Sequence, residues 1–98
     1  MAETQTYDIK LEERAGQGRY VIYFPGGHEA EMTFSRANGV MTIDHTGVPP
    51  ALEGRGIAAQ LVKRAIDDAR ARKFKIAPLC SYVVVQFQRH PEWRDLHA

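Results

Sequence analysis

The stretch Glu53-Gly54-Arg55-Gly56-Ile57-Ala58-Ala59-Gln60-Leu61-Val62 limits what this chain can fold into more than any other. Two glycines bracket an arginine, and an apolar-periodic run follows at once. Ile57, Ala58, Leu61, Val62, Ala65, Ile66 and Ala69 recur with the i, i+1, i+4, i+5 spacing of one buried helix face. The glycines therefore open a helix expected over Gly54 to Arg72. The first turn of a helix has unpaired N–H groups and the positive end of the macrodipole. Residues without side chains admit an anion to those groups, and Arg55 adds a full charge. The stretch reads as a phosphate cradle, with plain capping and turn chemistry as the alternative. A P-loop needs Gly-Lys-Ser/Thr at its end, and Gly56-Ile57-Ala58 stands there instead. Gly54-Arg55-Gly56-Ile57-Ala58-Ala59 fits the dinucleotide pattern only formally. Pro49 and Pro50 interrupt the strand that pattern requires, and Lys73 and Lys75 occupy the region where an acidic residue belongs.

Before the helix the period is two. Tyr7, Ile9 and Leu11 alternate with Asp8, Lys10 and Glu12, giving a half-buried strand over 7–13. A turn at 15–18 leads to a strand over 19–24, rich in aromatic and β-branched residues. Pro25-Gly26-Gly27 breaks the chain. A third strand sets Ala30, Met32 and Phe34 against a wet face of Glu29, Glu31 and Thr33. Asn38-Gly39 signals a hairpin. The fourth strand, from about Val40 to Val48, puts Val40, Thr42, Asp44 and Thr46 opposite Met41, Ile43 and His45, and ends at Pro49-Pro50. Four such strands imply an antiparallel meander. Past the helix, Phe74–Ala77 is a short strand, placed parallel to the fourth by the crossover. The basic cluster Arg70, Arg72, Lys73 and Lys75 complements the helix dipole or holds an acidic ligand. Residues 81–88, Ser-Tyr-Val-Val-Val-Gln-Phe-Gln, read as strand by propensity and equally as helix by spacing. His90-Pro91 ends that segment either way, and Trp93 is expected to cover the core.

Ninety-eight residues fit one domain over 1–98. A net charge of +1 provides no global pull towards nucleic acid or a membrane surface. The single cysteine, Cys80, rules out an internal disulfide and suits a reducing compartment. Residues Met1 to Thr6 hold no apolar leader, no run is long enough to span a bilayer, and a cytoplasmic protein is the expectation. His28, His45, His90 and His97 are scattered, so no metal site is expected. A Gly-x-Ser-x-Gly elbow is missing.

Asp44-His45-Thr46-Gly47-Val48, Glu53-Gly54-Arg55-Gly56-Ile57-Ala58, Pro78-Leu79-Cys80-Ser81-Tyr82 and His90-Pro91-Glu92, in that order, resemble the small single-domain branch of the GCN5-related N-acetyltransferase superfamily. The likeness spans roughly residues 5 to 96. It implies an α+β fold: a mixed sheet of a four-stranded antiparallel meander, a loop-helix crossover and a short fifth strand that splays from the fourth, with a C-terminal helix. Residues 81–90 are accordingly expected to be helical. Acetyl-coenzyme A would lie in the splay. Its diphosphate would meet the backbone of Gly54, Arg55, Gly56, Ile57 and Ala58, and its pantetheine arm would pair with the edge at Thr46, Gly47 and Val48. Gly56 and Ala58 match the last fixed positions of the broad superfamily pattern, while Glu53 stands where Gln or Arg is usual.

Acyl transfer from a thioester needs a deprotonated nucleophile, an oxyanion stabiliser and a proton for the leaving thiolate. Cys80 follows the short last strand, where the resemblance points the thioester, and is the candidate covalent nucleophile; the plain alternative is a small buried hydrophobe. His45 faces the core or the cofactor gap and is the candidate base, unless it is a hydrogen-bonded structural residue. Tyr82 is the candidate proton donor, a role that tyrosines fill elsewhere in the superfamily. His90 is expected to contact neighbouring backbone or the nucleotide end. The expected activity is transfer of an acetyl group from acetyl-coenzyme A to an amine of a small molecule or protein. The alternatives are an acyl-CoA-binding module and a plain interaction domain. The superfamily usually ends with further sheet strands that build the acceptor site; the sequence given stops soon after Trp93, and the expectation is an acceptor site that is shallow or completed by a partner protein.

Overall fold

A computed structural model of the chain describes residues 6–98; the segment 1–5, read above as holding no apolar leader, lies outside the described residues. The meander forms as the alternation requires: β1 (Lys10–Arg14), β2 (Gln17–Tyr23), β3 (Glu29–Ala37) and β4 (Val40–Gly47) pair antiparallel in sequence order. The crossover helix α1 (Ile57–Arg72) returns the chain so that β5 (Lys75–Pro78) pairs with β4 in parallel. Helix α2 (Ser81–Arg89) and a short helical turn, Pro91–Leu96, close the chain. The fold is thus the α+β arrangement, a mixed sheet followed by a C-terminal helix.

The core lies between the sheet and the helices. Ile57, Leu61, Val62, Ala65, Ile66 and Ala69 line the buried face of α1 and meet Tyr20, Met32, Phe34, Met41 and Ile43 from the sheet, with Val83 of α2, Trp93 and Leu96 completing the cluster. Burial of this apolar surface is the main driving force. The edge strand is shorter than its alternation implied. Residues 7–9 leave β2 and lean on α1, where the Tyr7 amide donates to Gln60 Oε1 at 3.3 Å and Arg64 donates to the Ile9 carbonyl at 2.9 Å. Tyr7, Ile9 and Leu11 still pack against the core.

Two other departures matter for function. The helix starts at Ile57 rather than Gly54, because Gly54 and Gly56 take left-handed backbone angles, φ 80° and 75°, that no helical residue adopts. The alternation in β4 breaks: Thr33 pairs with His45 but Phe34 pairs with Ile43, so Asp44 is an extra residue, a β-bulge.

Gly18 is a position the sheet cannot give up. A Cβ there would stand 2.5 Å from the Glu12 carbonyl oxygen and 2.9 Å from Phe34 Cζ. Gly18→Ala is expected to destabilise the fold by about 1–3 kcal/mol, the usual range for overpacking. Chemical denaturation checks this, and an unchanged midpoint would count against the tight β1–β2–Phe34 contact.

Candidate functional site

β5 stays with β4 only from Val40 to Ile43. The amides of Leu79 and Cys80 then both donate to the Ile43 carbonyl, at 2.9 and 3.0 Å, and the chain turns into α2. β5 ends at Pro78, opposite Ile43, while β4 runs on to Gly47 without a fifth-strand partner. After β4, Pro50–Leu52 form a single helical turn whose Leu52 rests on the core, which sets the glycine loop beside that end of β4.

The result is a cleft of ≈ 430 Å³. The end of β4 contributes Thr46 and Val48, the loop contributes Leu52, Glu53, Gly54 and Gly56, the first turn of α1 contributes Ile57, Ala58 and Ala59, and α2 contributes Tyr82. The α1 N-terminus has no side-chain cap and no acidic residue in its first turn. Its first backbone bond runs from the Gln60 amide to the Gly56 carbonyl, so the amides of Ile57, Ala58 and Ala59 precede the helical ladder. A Cβ on Gly54 or Gly56 would meet no atom within 4 Å. The two glycines therefore leave open space over uncapped amides, and these residues fit the diphosphate of coenzyme A.

Cys80 is the N-cap residue of α2 and is half-buried. Its Sγ lies 3.6 Å from Thr46 Oγ1. Burial pushes the thiol pKa up, but the nearby Thr46 hydroxyl and the backbone groups of Val83, Tyr82 and Thr46 outweigh it, and the net pKa falls below that of an ordinary thiol. A helix N-terminus favours the thiolate in the same way. Tyr82 is half-buried in the cleft wall; burial raises its pKa above the usual phenol value, opposed by the Arg89 charge. It is neutral at pH 7.

The structure brings together Thr46, Val48, Gly54, Gly56, Ile57, Ala58 and Tyr82 around the cleft, with Cys80 against Thr46. It does not bring His45. The Asp44 bulge places His45 opposite Thr33, on the exposed face of the sheet, and its ring occupies the space where Gly47 has no side chain. The expectation that His45 faces the core or the gap is corrected on this point. Gly47 is not among the residues that line the cleft. Arg55, flanked by two left-handed residues, projects instead to a separate hollow beside Tyr7, Lys10 and Phe24. His90 is engaged by Glu92, 2.9 Å away, and stacks on Trp93 with ring centroids 4.0 Å apart.

Some relationships were beyond the sequence. Leu52 and Ala59 add to the cleft wall, and the contact between the Thr46 and Cys80 side chains joins residues 34 positions apart. Part of the basic cluster ties the C-terminal turn to the fold. Arg70 holds Asp95 at 2.8 Å and the Glu92 carbonyl at 3.0 Å, while Lys75 reaches the Asp95 carbonyl. Among the described residues no helix is long and apolar enough to cross a membrane.

A mostly antiparallel sheet whose fourth strand outruns its short parallel neighbour, with an uncapped glycine-opened helix beside the unpaired end, is the acetyltransferase arrangement of an α+β fold. The chain belongs to the GCN5-related N-acetyltransferase family, whose model matches residues 19–96. It is similar to protein NATD1 of Danio rerio, 30% identical over 95 residues that cover 91% of this chain and 86% of the relative. NATD1 of Xenopus tropicalis is 29% identical over 85 residues, 85% of this chain and 78% of the relative. Human NATD1 is 28% identical over 85 residues, covering 85% and 75%. The fold superposes on the solution structure of a GCN5-like protein from Staphylococcus aureus with a TM-score of 0.69 and 25% identity, over 91% of this chain and 87% of that one.

Proposed function

We propose that this protein is an acetyl-CoA-dependent N-acetyltransferase that passes the acetyl group through Cys80 to an amine. The observation that carries the proposal is the position of Cys80: N-cap of α2, its sulfur against Thr46, which lines the cleft beside the glycine loop. The backbone at Gly54, Gly56, Ile57 and Ala58 holds the diphosphate, and the β4 edge at Thr46, Gly47 and Val48 holds the pantetheine arm. Arg55 belongs to this set through its amide alone.

Acetyl-coenzyme A supplies a thioester acyl group. The Cys80 thiolate forms a sulfur–carbon bond to the acetyl carbonyl as the donor's carbon–sulfur bond breaks, so the negative charge moves from one sulfur to the other. A neutral amine then bonds to the same carbonyl, the Cys80 sulfur leaves as thiolate, and the amine gives up one proton. The departing donor sulfur needs one proton, and the Tyr82 hydroxyl in the cleft wall relays it. His45 has no part in this scheme. The acceptor side is open: outside β5 there is one bridge, between Ile76 and His97, among the described residues. A small molecule or protein supplies the amine, and a partner protein that completes this side fits the same reading.

Incubation with radiolabelled acetyl-CoA, with and without a panel of amines, tests the proposal. Label on Cys80 that chases into an amine is expected. Tight coenzyme A binding with neither label nor turnover across the panel would make the protein an acyl-CoA-binding module instead.

A further inference from the structure

A half-buried cysteine is by default a small inert hydrophobe, so a thiol that carries an acyl group needs something to aim and ionise it. β4 holds the means. With strict alternation from Ile43, Thr46 would share the exposed face with Asp44, away from the helices. The extra residue at Asp44 reverses the phase. Thr46 then pairs with Met32, a fully buried residue of the helix-covered face, while Asp44 and His45 remain on the other side. Thr33 on that outer face donates to Asp44 Oδ1 at 2.5 Å and holds the bulge in place. The hydroxyl so delivered accepts from the Cys80 thiol at 3.6 Å and, once the sulfur ionises, can turn to donate to it, while the doubled bond of the Leu79 and Cys80 amides to Ile43, the residue before the bulge, fixes the sulfur's own segment against β4.

We propose that Thr46 is a positioning residue: its hydroxyl, turned inward by the β-bulge at Asp44, orients the Cys80 sulfur and stabilises its thiolate for acyl transfer. Its purpose rests on the acyl-transfer reading; its chemistry does not. The ionisable groups around the sulfur support a local origin. Asp44 and His45 of β4 lie on the opposite face, Glu53 of the glycine loop lines the cleft but has a negative charge that does not favour a thiolate, Lys75 of β5 is tied to the Asp95 carbonyl at the far end of its strand, and α2 has Tyr82 beside the cleft and Arg89 in its last turn. After burial, which raises the thiol pKa, the largest influence is the Thr46 hydroxyl, which lowers it, followed by backbone groups.

Cys80 is the chain's sole cysteine, so iodoacetamide alkylation across a pH series reports this thiol alone. Thr46→Val keeps the branched shape and removes the hydroxyl. The alkylation midpoint is expected to rise by about half to one pH unit, slowing alkylation at pH 7 about 3- to 10-fold, while Thr46→Ser stays within about 2-fold of the parent. Thr46→Ala repeats the hydroxyl loss should the valine variant fail to fold. A valine or alanine profile that overlays the parent's overturns the proposal, as does a serine variant shifted as far as the valine one. Labelled acetyl-CoA separates the two readings: a Thr46-dependent thiol that never acquires acetyl keeps this inference and removes acyl transfer, and an acetylated Cys80 whose alkylation ignores Thr46 does the reverse.

Discussion

A Gly56→Glu variant is expected to lose coenzyme A affinity by more than about 100-fold while keeping its fold. Gly56 lines the cleft at the uncapped start of α1, and a Cβ there meets no atom within 4 Å, so the new side chain has room. The folding cost is the left-handed backbone, φ 75°, worth about 1–2 kcal/mol for a residue with a Cβ. The binding cost is larger. Two like unit charges about 5 Å apart at an effective dielectric of about 20 repel by about 3 kcal/mol, roughly two decades in affinity, before the steric block is counted. Gly56→Asn is the control, because asparagine tolerates the left-handed region and has no charge. Calorimetric titration with coenzyme A reads the affinities, and thermal melts read the fold. A glutamate variant that binds like the parent would remove the diphosphate from this corner, and the acetyl-transfer assignment would go with it.

The parts of this site that sequence makes visible are those governed by local rules. Period-two alternation, the Asn38-Gly39 turn and the amphipathic run from Ile57 place four antiparallel strands and the crossover helix, and the crossover implies the parallel fifth strand. Residues 81–89 obey a tertiary rule instead. Three successive valines favour strand, yet the segment is helical, because that winding buries Val83 completely and sets Phe87 edge-on to Trp93 at 5.6 Å. Spacing alone allowed either form; the family resemblance selected the helix.

What stayed hidden depends on pairing partners. A bulge is a mismatch in residue count between two strands, and nothing in β4 by itself marks Asp44 as the extra residue. Reading the alternation straight through put His45 on the inner face with Met41 and Ile43, and concealed the approach of Thr46 to Cys80. Arg55 misled for a related reason. Its position beside the glycines is local, but its direction is fixed by two left-handed neighbours. Arg70 likewise reads as a dipole complement until the chain folds back 25 residues later to present Asp95.

Cys80→Ser is expected to lower acetyl transfer about 100-fold or more while leaving coenzyme A affinity within about threefold. Serine is a favoured N-cap residue, so α2 keeps its start at this position. What disappears is the ionised nucleophile, since a hydroxyl does not deprotonate near neutral pH. The parent's pH profile has a sign that follows from the same site. Because the thiol pKa is lowered, transfer rises with pH, and the midpoint of that rise lies below that of an unperturbed cysteine thiol. Because burial raises the Tyr82 pKa, the loss of its proton, and the falling limb, lies above the usual phenol value of about 10. Single-turnover transfer across pH, with parallel binding titrations, separates the two residues. Should Cys80→Ser turn over like the parent, the sulfur is packing, the amine takes the acetyl group directly, and the ascending limb belongs to the amine's own deprotonation.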